Sequence, residues 1–131
     1  MGLDSHLNVY YILHMTHFGK HIRSRREDLR KHDRRFSLRQ VAQRIEVEPA
    51  YLSKIERGDV APPSEATTLK LARDLGEDPD VLLALAGKVS SDLQEIIRKR
   101  PKLFADLIRK MKEAPDHAIL RIVREVRDGE W

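Results

Sequence analysis

The stretch that most constrains this chain is VAQRIEVEPAYLSKIERGD, Val41 to Asp59. Apolar residues recur at helical spacing on either side of a short break, with Val41, Ala42 and Ile45 before it and Leu52 and Ile55 after it. Isolated helices shorter than about 12–15 residues are marginal in water, so neither run can hold its shape alone. The two must brace one another and their neighbours.

Local signals mark where the helices begin and end. Ser37 followed three residues later by Gln40 is a capping box, and it opens a helix from about Leu38 to Ile45. Glu48 takes the cap position of the next helix, Pro49 its first turn, and Gly58 stops it with a residue free to take positive φ. Upstream, Phe18, Ile22, Arg25/Arg26 and Leu29 share one face of a helix of about 13 residues that runs out in the charged RKHDRR. Downstream, Ser64 can cap a helix carrying Ala66, Leu69, Leu71, Ala72 and Leu75, ended by Gly76, and Asp78-Pro79 starts VLLALAG, closed by Gly87. This predicts five helices between about residues 18 and 86. Further helices follow in SSDLQEIIRKR, where Ser91 and Gln94 offer another capping box, and in PKLFADLIRKMKEA and PDHAILRIVREVRDG, with Pro101 and Pro115 at their first turns. No strand pattern, internal repeat or low-complexity tract interrupts this all-α reading.

Charge is distributed unevenly around the central stretch. Lys20 to Gly58 holds twelve Lys and Arg against six Asp and Glu, whereas Asp59 to Trp131 holds thirteen against fourteen, so the net +4 of the chain belongs to one segment. A positive field of this kind suits a polyanion, because counterions released from it drive association; solubility alone is the other reading of an Arg-rich helix.

A turn of about four residues joins the two helices, with Ala42 at their crossing and Val47 filling the angle, as in a helix-turn-helix. The run S-L-R-Q-V-A-x-R-I-x-V-x-P-x-Y-L-S-K-I-E-R-G, followed by P-x-x-x-x-L-x-x-L-A-x-x-L, resembles the lambda-repressor-like (Cro/CI, xenobiotic response element) family from about Phe18 to Gly87. That resemblance implies a five-helix DNA-binding domain over residues 18–87, preceded by an N-terminal extension, 1–17, and followed by a helical dimerisation or interaction region, 88–131.

In such a domain the first helix of the pair crosses the phosphate backbone and the second enters the major groove. Base-reading candidates are Pro49, Ala50, Tyr51, Ser53 and Lys54: Lys54 can donate to guanine acceptors, and Ala50 and the Tyr51 ring can touch a thymine methyl. Phosphate candidates are Ser37, Arg39, Gln40, Arg44 and Arg57. For Tyr51, packing or phosphate bonding is an open alternative. The resemblance further implies that Glu56 pairs with Arg26, or Arg25, as a structural clamp.

Three departures from the family pattern stand out. Glu48 replaces the usual Ser or Thr cap; it can still accept from backbone donors but repels phosphate. Leu38 stands where a glutamine is usual. The link EDLRKHDRR is about five residues longer than usual, and its Arg30, Lys31, Arg34 and Arg35 form either a phosphate-contacting extension or a longer solvated helix end.

Other chemistry is sparse. His14, His17 and His21 fall at i, i+3 and i+7, but without a cysteine or a nearby carboxylate no metal and no cofactor is expected. No nucleophile triad, phosphate-cradling glycine loop or carboxylate pair is legible, and no enzymatic activity is expected. No apolar run approaches the roughly 20 residues of a membrane span, and the start lacks a basic n-region, so a cytoplasmic protein is expected. Met15 to Gly19 resembles a family start, which makes residues 1–14 either an upstream extension or, through VYYIL, an arm that docks elsewhere.

The tail carries more apolar surface, from Leu93 through Val126, than three short helices bury by themselves. A homodimer on a pseudo-palindromic operator is the favoured reading, for a bacterial or phage regulator that represses by occupying a promoter. The alternatives are an antitoxin-type regulator whose C-terminal helices bind a toxin, and a nonspecific nucleoid or phage structural protein.

Overall fold

The computed structural model describes residues 17–129. Every regular element among the described residues is helical: α1 (17–30), a 3-10 turn (Arg34–Phe36), α2 (Leu38–Arg44), α3 (Pro49–Arg57), α4 (Glu65–Leu75), α5 (Pro79–Leu85), α6 (Ser91–Lys99), α7 (Pro101–Met111) and α8 (Asp116–Asp128). The chain divides into two compact units at Ser90/Ser91, three residues beyond the expected boundary at Gly87. The expectations for residues 1–14 lie outside the described residues.

In the first unit, Phe18 and Ile22 of α1, Val41, Ala42 and Ile45 around α2, Leu52 and Ile55 of α3, Leu71, Ala72 and Leu75 of α4 and Leu82 of α5 form one buried cluster. Burying a side chain of this size contributes about 1.5–3 kcal/mol, which is how helices as short as α2 and α3 persist. On α4 the inner face is Thr68, Leu71, Ala72 and Leu75; Ala66 is exposed. Thr68 is tolerated there because its hydroxyl donates to the Pro63 carbonyl at 3.4 Å.

Caps work largely as their residue types dictate. Ser37 Oγ accepts from the Gln40 N–H, Ser64 Oγ from Thr67, and Asp78 from Asp80 and Val81. Glu48 differs: its side chain makes no cap hydrogen bond, and α3 starts with its backbone carbonyl alone accepting from Tyr51 and Leu52 at 3.0 and 3.1 Å. Helix α2 stops one residue early, at Arg44, and Pro115 is the cap of α8 and not part of its first turn.

The turn between α2 and α3 closes as a Schellman motif. Val47 N–H reaches the Ala42 carbonyl at 2.9 Å and Glu46 N–H the Gln43 carbonyl at 3.2 Å. That motif wants a left-handed residue, and Glu46 supplies it at φ 64° in place of the glycine usually found there. Its carboxylate pairs with Lys70 of α4, which lowers its pKa.

Helix α3 is anchored near its C-terminal end. An added Cβ at the buried Gly19 of α1 would stand 2.3 Å from the Ile55 carbonyl oxygen and 2.7 Å from that of Glu56, so only glycine allows this approach. Two turns along α1, Arg26 Nε and Nη2 donate to Glu56 Oε2 and Oε1 at 2.7 and 2.9 Å, with both side chains about 5% exposed. The Glu56 hydrogen bond raises the pKa of Arg26 against the opposing effect of burial. Arg25 takes a separate route, donating to the Leu75 carbonyl at 3.1 Å.

In the second unit, α6, α7 and α8 are amphipathic, yet none of their residues is buried. Leu103 is 67% and Val126 61% exposed. Arg100, at φ −139° and ψ 63°, lies outside the helical region and separates α6 from α7, in keeping with the bar on helical geometry before a proline.

Glu46 generates a stability prediction. A left-handed non-glycine residue costs about 1–2 kcal/mol, whereas an exposed ion pair contributes at most about 1 kcal/mol. Glu46→Gly should therefore raise stability by roughly 0.5–1 kcal/mol, while Glu46→Ala, which keeps the strain and loses Lys70, should not. Thermal unfolding of the two variants checks this; equal losses in both would show that the turn carries no strain.

Candidate nucleic-acid interface

Helix α3 has two faces set by its 3.6-residue period. Leu52, Ile55 and Glu56 point inward and are buried. Ala50, Lys54 and Arg57, at i, i+4 and i+7, lie opposite and are exposed, with Ser53 and Tyr51 on the flanks. Pro49 is half-buried at the first position of the helix. Gly19 and Arg26 hold the C-terminal part of the helix against α1.

The cations of the first unit divide into paired and unpaired groups. Arg30 pairs with Glu27 at 3.4 Å and Lys31 with Asp28 at 3.3 Å, so the end of α1 is largely self-neutralised. Arg34, Arg39 and Lys54 are exposed and form no ion pair among the described residues. Arg39 projects from the first turn of α2, next to the exposed Gln40. Ser37, half-buried at the cap, already spends one acceptor position on the Gln40 N–H at 3.3 Å.

Two of the phosphate candidates are tied down. Arg44 donates to both Asp74 oxygens at 2.6 and 3.1 Å and lies over the Phe36 ring at 5.1 Å, joining α2 to α4. Arg57 donates to Asp59 Oδ2 at 2.9 Å and to Ser53 Oγ at 2.7 Å, which lays its side chain along the outer face of α3. That Ser53–Arg57–Asp59 chain leaves the hydroxyl proton of Ser53 available to a further acceptor.

Sequence reasoning did not single out Asp33, Asp59, Asp74 or Gly19. Asp33 and Asp59 were within reach of a local rule, since each sits two residues from the arginine it holds. Asp33 also caps the 3-10 turn, and hydrogen bonds from the side chain and backbone of Arg35 hold its carboxyl down to about 2. Asp74 is thirty residues from Arg44, and no local signal connects them.

The histidine series has no shared site in the described residues. His21 Nε2 lies 3.0 Å from Glu77 Oε1, His17 is exposed, and His14 lies outside the described residues. No group of three metal-ligating side chains gathers among the described residues. No helix among them is long and apolar enough to cross a membrane.

Comparison with known proteins agrees with this arrangement of helices. No curated protein and no solved structure is significantly similar to the chain. The model of a helix-turn-helix domain family matches residues 17–85, more than half of the chain and the same five helices that enclose α2 and α3. With its lambda-repressor-like motif seated on those helices, the chain belongs to the helix-turn-helix domain family.

Proposed function

We propose that this protein is a sequence-specific, cytoplasmic transcriptional regulator that binds a pseudo-palindromic operator as a homodimer and represses by occupying it. The observation that carries the reading is the division of α3, whose inner face is locked by Leu52, Ile55 and Glu56 while Ala50, Tyr51, Ser53 and Lys54 remain accessible. A helix so held can enter the major groove without ordering its own backbone on binding, which preserves affinity for contacts to bases.

Roles follow from the state of each side chain. Lys54, unpaired, donates to guanine O6 or N7; Ala50 and the Tyr51 ring approach thymine methyls; the Ser53 hydroxyl donates to an adjacent acceptor. Arg39 and Gln40 meet phosphate and set the register. Arg44 is a brace between helices in this account, because releasing it would leave Asp74 unpaired. Glu48, exposed at the start of α3 with no hydrogen bond to the backbone, disfavours indiscriminate approach of phosphate and can accept from a cytosine amino group.

The exposed stripes of α6 to α8 support pairing between copies. Leu93, Ile96, Leu103, Leu107, Ile108, Leu120, Ile122, Val123 and Val126 are all more than a third exposed. Side chains of this kind make up the apolar centre of a standard protein–protein interface, which buries roughly 800 Å² per partner.

Two experiments test these statements. Sites selected from a random DNA pool should share a motif, and Lys54→Ala or Tyr51→Ala should cost roughly 1–3 kcal/mol on that motif while relaxing preference at one position. Equal losses on all sequences would make both residues phosphate contacts. In sedimentation the chain should be a dimer at micromolar concentration, and Leu107→Glu with Val123→Glu should yield a folded monomer with weakened operator binding. A double variant that stays dimeric would remove the tail from the dimer interface.

A further inference from the structure

The long connection between α1 and α2 is unusually well fastened for a surface segment. Its 3-10 turn, Arg34–Phe36, is capped by Asp33, whose carboxylate accepts from the Arg35 backbone N–H at 3.0 Å and from its guanidinium at 2.8 and 3.1 Å. The Phe36 ring packs against the core beneath the Arg44 guanidinium, and the Phe36 carbonyl accepts from Arg26 Nη1 at 3.3 Å. The buried pair that fixes α3 therefore also fixes this turn. Around it the charges are mostly spent: Arg30 on Glu27, Lys31 on Asp28, and Arg35 on Asp33. Arg34 alone of the four basic residues in the connection is exposed without an ion pair among the described residues.

We propose that Arg34, held out by this pinned turn, is an additional DNA-phosphate contact that lengthens the footprint of each protomer beyond the contact made by α2. The inference rests on the DNA-binding reading above. Its geometry is local: the Ser37 N–H donates to the Arg34 carbonyl at 3.2 Å, and at the 2.0 Å rise per residue of a 3-10 helix the two residues stand about 6 Å apart. Successive phosphates of one strand advance by about 3.4 Å along the duplex axis, so a side chain about 6 Å from Ser37 is close enough to address a phosphate neighbouring the one met by Arg39. Because the turn is already ordered, the contact needs only the Arg34 side chain to settle on binding. Arg34 carries no base information in this role; it adds counterion release and fixes orientation. The two expectations for the link EDLRKHDRR thus divide between its residues: Arg30 and Lys31 belong to a solvated helix end, and Arg34 to the phosphate extension.

The test measures binding of the full-length protein to a duplex recovered by selection, across a salt series, for Arg34→Ala, Arg34→Lys, Arg30→Ala and Arg39→Ala. Arg34→Ala should weaken binding roughly fivefold at 0.15 M salt, equally on selected and scrambled duplexes, and should lower the slope of log affinity against log salt by about 1.8, one phosphate contact being lost from each protomer of the dimer. Arg34→Lys should restore most of the slope, and Arg30→Ala should change it by far less. Hydroxyl-radical cleavage should lose protection at one outer position of each half-site in Arg34→Ala. If Arg34→Ala matches the unmodified protein while Arg39→Ala is weakened, the extension is overturned and the DNA-binding reading stands. Equal small losses in Arg30→Ala and Arg34→Ala would reduce both residues to a general field and also overturn it. Absence of saturable DNA binding by the unmodified protein would overturn both the extension and the reading beneath it.

Discussion

The buried ion pair between Arg26 and Glu56 connects the parts of the first unit that have to stay in register. It joins the middle of α1 to the end of α3, and through Nη1 of Arg26 it also holds the carbonyl of Phe36 ahead of α2. A pair removed from water this completely adds little net stability over a well-packed apolar substitute, yet loss of one partner costs about 3–5 kcal/mol, a large part of the about 5–15 kcal/mol that holds a domain together. Its use is directional. With Gly19 seated against the Ile55 and Glu56 carbonyls, it fixes which face of α3 turns inward, and so which face is left over.

Electrostatics then sorts the basic residues. Arginines that have a structural task are matched with acidic partners, as Arg44 is with Asp74, Arg35 with Asp33 and Arg57 with Asp59. Exposed pairs of this kind contribute little energy individually, but they take these charges out of the field that an approaching polyanion meets. The exposed cations that form no ion pair among the described residues include Arg34, Arg39 and Lys54, on the turn ahead of α2, the first turn of α2 and the outer face of α3, together with Lys20 and Arg23 of α1. Glu48 places an exposed carboxylate with no cap hydrogen bond at the start of α3.

Features decided within a few residues are legible in the amino-acid sequence alone. Ser37, Ser64 and Asp78 cap as their side chains dictate, Gly58 and Gly76 end α3 and α4 in left-handed geometry, and the apolar periodicity locates the core positions Val41, Ala42, Leu52 and Ile55. The family resemblance supplies the partner of Glu56, although it leaves Arg25 and Arg26 undivided. Features decided across the fold are not legible in this way. Nothing local ties Arg44 to a carboxylate thirty residues away, shows that Gly19 must lack a side chain, or reveals that Glu46 sits where glycine is expected. At the candidate interface the residue types are readable, but whether an arginine is free or already engaged is not. Arg57, assigned to phosphate from sequence, lies on the same face of α3 as Lys54.

The second unit states a different requirement. Its three helices show apolar stripes and no buried residue, and in the proposed homodimer a second copy of the chain would cover them. A two-fold pair would present two copies of α3 to one duplex, the symmetry that an operator with two half-sites requires. On the proposed reading, the outer face of α3 enters DNA while its inner face keeps the fold. Mapping backbone amide shifts of the full chain by NMR, during titration with a selected duplex, tests it most directly. Changes should concentrate at residues 34–40 and 49–54, with the buried Leu52 and Ile55 exchanging their amide hydrogens slowly throughout. Changes concentrated on α4 and α5, or on α6 to α8, with α3 unmoved, would contradict it.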